Sequence, residues 1–331
     1  MQNRRSRWGK AVLLPAAVML ASFAIAVLSG PSRVDLARAL RGLSPDREIL
    51  VELRVPRALL ALWTGGALAL SGVVFQAVLR NPLATPYTLG VSGGASLGAV
   101  IAIYAGWSTL AGLPALSVAA CIGAAAVLLL IVAVAGRSGR MSSVGLLLAG
   151  VTLNSMCGAA ILFISNLTGV LKSFAVTRWL MGGLDAPGYW TLFGLTGILT
   201  PVCLVIFRHG PEWNLLAIGE NWAATRGVAT GRLLLIGCIA GSILTGLVTA
   251  LTGPIGFVGL IVPHALRMRL GADHRVLAPA SFLTGAAFLA LCDVFSRTVL
   301  APVEIPVGVV TALAGGPIFI HMLRRREGIA L

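Results

Sequence analysis

The stretch ALLALWTGGALALSGVVFQAVL, Ala58–Leu79, runs for 22 residues without a charge. As a helix it would be about 33 Å long, enough to cross the roughly 30 Å hydrocarbon core of a bilayer. Nine further apolar stretches accompany it: Ala11–Leu28, Leu89–Ala105, Leu113–Ala135, Val144–Ile164, Tyr189–Phe207, Leu233–Leu251, Ile255–Leu270, Val276–Val294 and Val307–Leu323. Ile255–Leu270 is the weakest, being short and interrupted by Pro263. Composition agrees. Hydrophobic residues make up 57% of the chain and charged residues 11%, whereas a soluble domain carries about a quarter charged. The expectation is an all-α polytopic membrane protein of about ten transmembrane helices, one domain over residues 1–331. Its 40 glycines suit close helix–helix approach in lipid.

The net charge is +14, nearly all of it arginine, with lysine only at Lys10 and Lys172. Such a balance can serve nucleic acid, but here the charges lie between apolar runs. That placement points to lipid as the partner, and to no nucleic acid. With ten spans, sixteen of the 25 basic residues fall on the side of the two termini and nine on the other. The positive-inside rule then puts both termini in the cytoplasm. Six of the nine outer basic residues crowd between Arg33 and Arg57, and the rule does not account for them. Arg4, Arg5, Arg7 and Lys10 before Ala11–Leu28 imitate a signal peptide. That stretch is long for a signal core, and it reads as an uncleaved first helix. The five cysteines are widely spaced within apolar runs and read as small packing residues. No cofactor or metal is expected on this chain.

Two segments repeat. Thr64–Gly72 reads TGGALALSG and Thr245–Gly253 reads TGLVTALTG. One opens the second span and the other closes the seventh, so the copies run in opposite directions through the membrane. Inverted-repeat-like halves of this kind are common in transporters.

No phosphate-binding loop is present: the only Gly-Lys pair, Gly9-Lys10, has no upstream glycine to open one. If transport is driven by ATP, another chain hydrolyses it. The longest internal polar segment, residues 208–232, has an apolar face that includes Trp213, Leu216, Ile218 and Trp222. A short amphipathic segment suits docking on a partner, or else lies on the membrane surface.

The motifs in order resemble one family. Arg54-Val-Pro-Arg57, Asn81-Pro-Leu-Ala84, Leu89-Gly-Val-Ser-Gly-Gly-Ala95, Glu220–Gly227 (ENWAATRG), Gly253–His264 (GPIGFVGLIVPH) and Glu304-Ile-Pro-Val-Gly308 are similar to stretches of the FecCD permeases. These are the type II ABC importers of ferric siderophores, haem and cobalamin. The resemblance covers about Arg54 to His321. It implies a homodimer with the pathway on its two-fold axis, two ATP-binding subunits inside and a periplasmic or extracellular substrate-binding protein outside, in a bacterial cytoplasmic (inner) membrane. ATP and magnesium would be held by the ATPase partner, and this chain would not be an enzyme.

The resemblance also assigns residues. Arg54, Arg57 and Arg297 match arginines that face acidic residues of the binding protein; the plain alternative is anchoring at the membrane boundary. Gly219, Glu220, Ala223, Ala224 and Gly227 fall in the segment that couples to the ATPase. Ser142 and Ser143 lie near the inner mouth, as a gate or as a helix cap. Asn154 lies deeper, lining the pathway or bonding another helix. Asp293 and Glu304 flank Arg297 and read first as its structural partners, and His264 reads as a local backbone partner before it reads as a ligand. The rival class is an ion-coupled secondary transporter, which needs acidic or histidine relays near mid-membrane; Asp293 is the main candidate. A structural membrane subunit is the third reading.

Overall fold

The fold comes from a computed structural model that describes residues 2–110, 113–136 and 142–327. Arg137 and Arg140, counted above among the inner basic residues, lie outside the described residues. All ten apolar stretches coincide with helices. In chain order α1 (Gln2–Leu28) is followed by two short helices, α2 (Leu36–Leu40) and α3 (Asp46–Glu48). Then come α4 (Val55–Val78), α5 (Val91–Ala105), α6 (Ala115–Gly136), α7 (Ser143–Leu167), α8 (Val170–Leu180) and α9 (Tyr189–Arg208). The rest are α10 (Gly210–Ile218), α11 (Glu220–Thr225), α12 (Thr230–Thr252), α13 (Val258–Leu270), α14 (His274–Thr298) and α15 (Val307–Glu327). Thr109–Leu110 pairs with Leu113–Pro114 in a two-residue antiparallel ladder. Among the described residues, seven helical stretches are long and apolar enough to span: α1, α4 with its lead-in, α6, α7, α9, α12 and α14. The apolar stretches in α5 and α15 are shorter, and α13 has only 13 residues.

The bundle is built around α4, which is buried along nearly its whole length. Small residues make this possible. A Cβ at Gly65 would run into the Gly285 carbonyl of α14, and one at Gly72 into the Gly259 carbonyl of α13. Contact at that distance replaces the side-chain interlocking seen in water-soluble bundles with backbone-to-backbone van der Waals packing. α12 lies antiparallel to α4, with Gly241 against Phe75 and Gly237 against Val78. The two copies of the repeated nonapeptide therefore sit on neighbouring helices of opposite direction. α5 and α6 form a second close pair, through Gly94 against Gly123 and Gly98 against Ala119.

Three features depart from the reading of the sequence. First, the second span begins earlier than Ala58: α3 continues through a π-helical stretch, Ile49–Arg54, into α4. Val55 donates its N–H to the Leu50 carbonyl, five residues back. Pro56 has no N–H to continue an ordinary ladder, and a local wide turn absorbs the change. Second, the arginine-rich lead-in to this span, which no apolar run marks, holds two short helices, α2 and α3. Asp35 caps α2, accepting from the N–H groups of Ala37 at 2.8 Å and Arg38 at 3.3 Å, and Arg38 pairs with Asp46 at 3.2 Å. Third, α8 was not expected, because Lys172 and Arg178 break its apolar pattern.

Between α12 and α13 the chain leaves the helix at Gly253 and re-enters after Phe257, both at φ +68°. Its neighbours cover the break. Gly183 donates its N–H to the Thr252 carbonyl at 2.8 Å and Gly308 donates to Gly182 at 3.2 Å. A Cβ on Gly182, Gly253 or Gly308 would collide with the carbonyl of Pro254, Trp179 or Met181 respectively.

Candidate functional site

The predicted site residues gather at opposite ends of the bundle. At one end α10 and α11 lie across the ends of α4, α7 and α14. α10 is seated firmly. Trp213 is buried and donates its indole N–H to the Ile206 carbonyl at 3.0 Å, and Leu216 is fully buried beside it. Asn214 joins α10 to the start of α14: its amide nitrogen donates to Asp273 Oδ1 at 2.9 Å and its oxygen accepts the His274 backbone N–H at 2.8 Å. The Arg275 guanidinium, 2.7 Å from Asp273 Oδ2, holds that carboxyl well below the usual carboxylate range, with the Asn214 amide assisting, against the opposing effect of partial burial.

α11 is held differently. Of its residues only Ala223 is buried. Ile218, Trp222, Ala224, Thr225 and Gly227 are exposed, with Arg226 stacked over the Trp222 ring at 5.1 Å. Glu220 turns inward. Its Oε1 accepts the Ser143 backbone N–H at 3.3 Å, lies 2.6 Å from Ser143 Oγ, and lies 3.2 Å from Arg80 Nη2. Ser142 is the N-cap of α7, its Oγ accepting from Gly145 N at 3.1 Å, and Ser143 is buried. The cap role of Ser142 is thus observed directly. Gly219 links α10 to α11, and Gly227 ends α11 at φ +83°, a conformation that favours glycine. Asn154 is exposed on α7, beside Gly90 and Gly93 of α5.

At the other end lie the arginines, and the structure places them more deeply than their positions at helix ends implied. Arg54 is buried and donates to the carbonyls of Val27, Leu28 and Ser32. Arg297 is buried, donates to the Ala26 carbonyl, and places its Nε 3.2 Å from Asp293 Oδ2. Both therefore tie α1 to the bundle. Arg57 bridges inside and outside: it contacts the fully buried Asp293 at 2.9 Å and Glu304, 45% exposed, at 3.0 Å. Asp293 is clasped by two cations, which answers the cost of a carboxylate within a span. Beside Arg57 opens a recess of about 710 Å³, lined by Phe174, Arg178, Trp179, Val303 and Glu304 among others. α8 forms one of its walls, so the helix missed in the sequence borders this site. Its signal was Arg178 and Trp179, adjacent residues that suit a half-wet surface. His264, near the middle of α13, is buried with its ring edge-on to Phe319 at 5.9 Å.

Comparison with known proteins places this geometry. The chain is 39% identical over 282 residues to the hemin transport system permease protein HmuU of Yersinia pestis, covering 84% of each chain. It is 37% identical over 326 residues to the vitamin B12 import system permease protein BtuC of Vibrio vulnificus, covering 98% of this chain and 96% of the relative. A solved structure described as the inward-facing conformation of a metal-chelate type ABC transporter superposes with a TM-score of 0.84 at 28% identity, over 96% of this chain and 99% of that one. The model of the FecCD transport family matches residues 18–325. The chain belongs to the FecCD transport family and is a permease of the ABC-importer type.

Proposed function

We propose that two copies of this chain form the membrane channel of an importer for a bulky chelate: haem, a ferric siderophore or cobalamin. The observation that carries this reading is the near full-length similarity to a hemin permease and a vitamin B12 permease. The chain makes and breaks no covalent bond; ATP and magnesium belong to two ATP-binding subunits, and a substrate-binding protein delivers the cargo. The end carrying α10 and α11 faces the cytoplasm with both termini, in keeping with the excess of basic residues there. The exposed Ile218, Trp222 and Ala224 form the apolar face on which an ATPase cleft closes. An ion-coupled carrier is disfavoured because Asp293, its main relay candidate, is occupied by Arg57 and Arg297. Reconstitution with the cognate ATPase and binding protein tests the reading. Uptake of labelled haem, cobalamin or ferric siderophore should require ATP and be insensitive to an imposed proton or sodium gradient. Gradient-driven uptake without ATP would refute it.

The arginine end is the docking face for the binding protein. Of Arg54, Arg57 and Arg297, only Arg57 reaches the rim; the two buried arginines hold the surface in shape beneath it. Glu304 then competes with a carboxylate of the binding protein for the same guanidinium. Arg57→Gln should weaken docking by about tenfold to a hundredfold, the worth of one charge-assisted bond of roughly 1.5–3 kcal/mol. Glu304→Gln should strengthen it. Surface plasmon resonance on nanodisc-embedded transporter reads both, and equal affinities in the two variants would remove Arg57 from the interface.

A further inference from the structure

We propose that Glu220 is the positioning residue through which movement of α11 is passed to α7, with Asn214 as the fixed point of the lever. The proposal rests on reading α10 and α11 as the ATPase-docking segment and adds how that segment acts on the channel.

The two halves of the segment are attached in unlike ways. α10 is anchored by buried Trp213 and Leu216 and by the Asn214 contacts with Asp273 and His274. α11 has one buried side chain, Ala223, and its contacts with α7 and with the end of α4 run through the Glu220 carboxylate. Gly219 separates the two helices, and a Cβ there would meet open space, so neighbouring atoms leave room for the joint to bend.

At the far side of the contact, α7 is suited to be moved. Along its 25 residues only Ser143, Leu146, Gly150, Cys157 and Ile161 are buried. Near its middle, Gly150 packs tightly against the Thr88–Leu89 backbone, with Gly90 opposite at φ +74°. That contact is a pivot seven residues beyond Ser143. A force on the N-terminus of α7 therefore swings the whole inner half of the helix. The first N–H groups of a helix have no intrahelical acceptor and carry the positive end of its dipole. A carboxylate is the group that grips them best.

The grip can also let go. Ser143 Oγ lies 2.6 Å from Glu220 Oε1 and 2.6 Å from the Val78 carbonyl. A hydroxyl has one proton, so it donates to one of these at a time. When Glu220 withdraws, the hydroxyl proton turns to Val78, and of the Ser143 donors only the backbone N–H gives up its acceptor. Arg80, 38% exposed and held at φ +49°, is left facing water. The hydroxyl thus has a partner in both states of the contact, which suits a switching element.

The test uses the assembled transporter in nanodiscs. Spin labels at Val144→Cys and Met268→Cys, both exposed positions, report the position of the start of α7 against α13. Thr225→Cys, also exposed, reports docking by crosslinking to the ATPase. In the parent, the label distance should change between nucleotide-free and ATP-trapped states. In Glu220→Gln that change should be lost, and uptake per ATP hydrolysed should fall by about tenfold, while the Thr225→Cys crosslink still forms. Ser143→Ala, which keeps the backbone contact, should lose part of the change. A full nucleotide-driven change in Glu220→Gln overturns the proposal. Failure of the crosslink in the parent overturns the docking reading instead, and the lever with it.

Discussion

Asp293→Ala should leave little folded protein. The carboxylate is fully buried between Arg57 and Arg297, and Arg297 is itself only 3% exposed. Removing the anion strands a guanidinium inside the bundle with the Ala26 carbonyl in place of a counter-charge. Breaking a buried pair on one side costs about 3–5 kcal/mol, a large share of a membrane protein's margin. Arg57 fares better, because Glu304 still holds it at 3.0 Å. The loss should therefore concentrate on Arg297. The double change Asp293→Leu with Arg297→Met removes both charges and should recover much of the folded fraction, since a buried pair replaced by apolar residues is often neutral. Monodisperse yield of a fluorescent fusion in detergent, with the temperature of half-loss, measures both. An Asp293→Ala protein as stable as the parent would show that the pair carries no weight.

The second large effect belongs to a glycine. Gly72→Ala adds one methyl group, directed at the Gly259 carbonyl oxygen on α13. Because the obstructing atom is backbone, no rotamer change relieves the clash, and α4 and α13 must separate. Overpacking of this kind costs about 1–3 kcal/mol, and Gly72→Val should cost more. Gly194→Ala and Gly197→Ala on α9 are the controls. A Cβ at either meets open space, and alanine is the better helix former by up to about 1 kcal/mol. The same thermal assay should show a drop for Gly72→Ala and none for the controls. Equal behaviour of all three would mean that α4 and α13 are not in contact at the backbone.

These two cases show which parts of the molecule the sequence could report. Apolar runs fix which stretches cross, because the bilayer demands length and hydrophobicity from each alone. The ten stretches were legible as helices for that reason, seven of the described helical stretches being long and apolar enough to span, and so was the opposite direction of the nonapeptide copies. The fate of a charge is set by neighbours distant in sequence. Arg54 and Arg297 sit at helix ends, as expected, and Arg297 meets Asp293 four residues back, yet both also reach carbonyls at the end of α1, more than twenty residues from Arg54 and 271 from Arg297. No local pattern carries that information. Glu220 shows the same limit. Its place in the polar segment was clear, but its direction was not: it points back to Ser143, 77 residues away, rather than out to a partner. α8 escaped notice because a helix at a wet rim needs no continuous apolar run.

The break between α12 and α13 has a consequence best put in genetic terms. Gly182, Gly253 and Gly308 come from three distant parts of the chain, and each has a carbonyl where its side chain would be. They meet around one interruption, whose hydrogen bonds come from Gly183 and whose cover is tied to Gly308. The three positions therefore behave as a single locus spread over 127 residues. A mutation at any one displaces backbone belonging to the others, and its suppressors belong at those sites rather than in its own sequence neighbourhood.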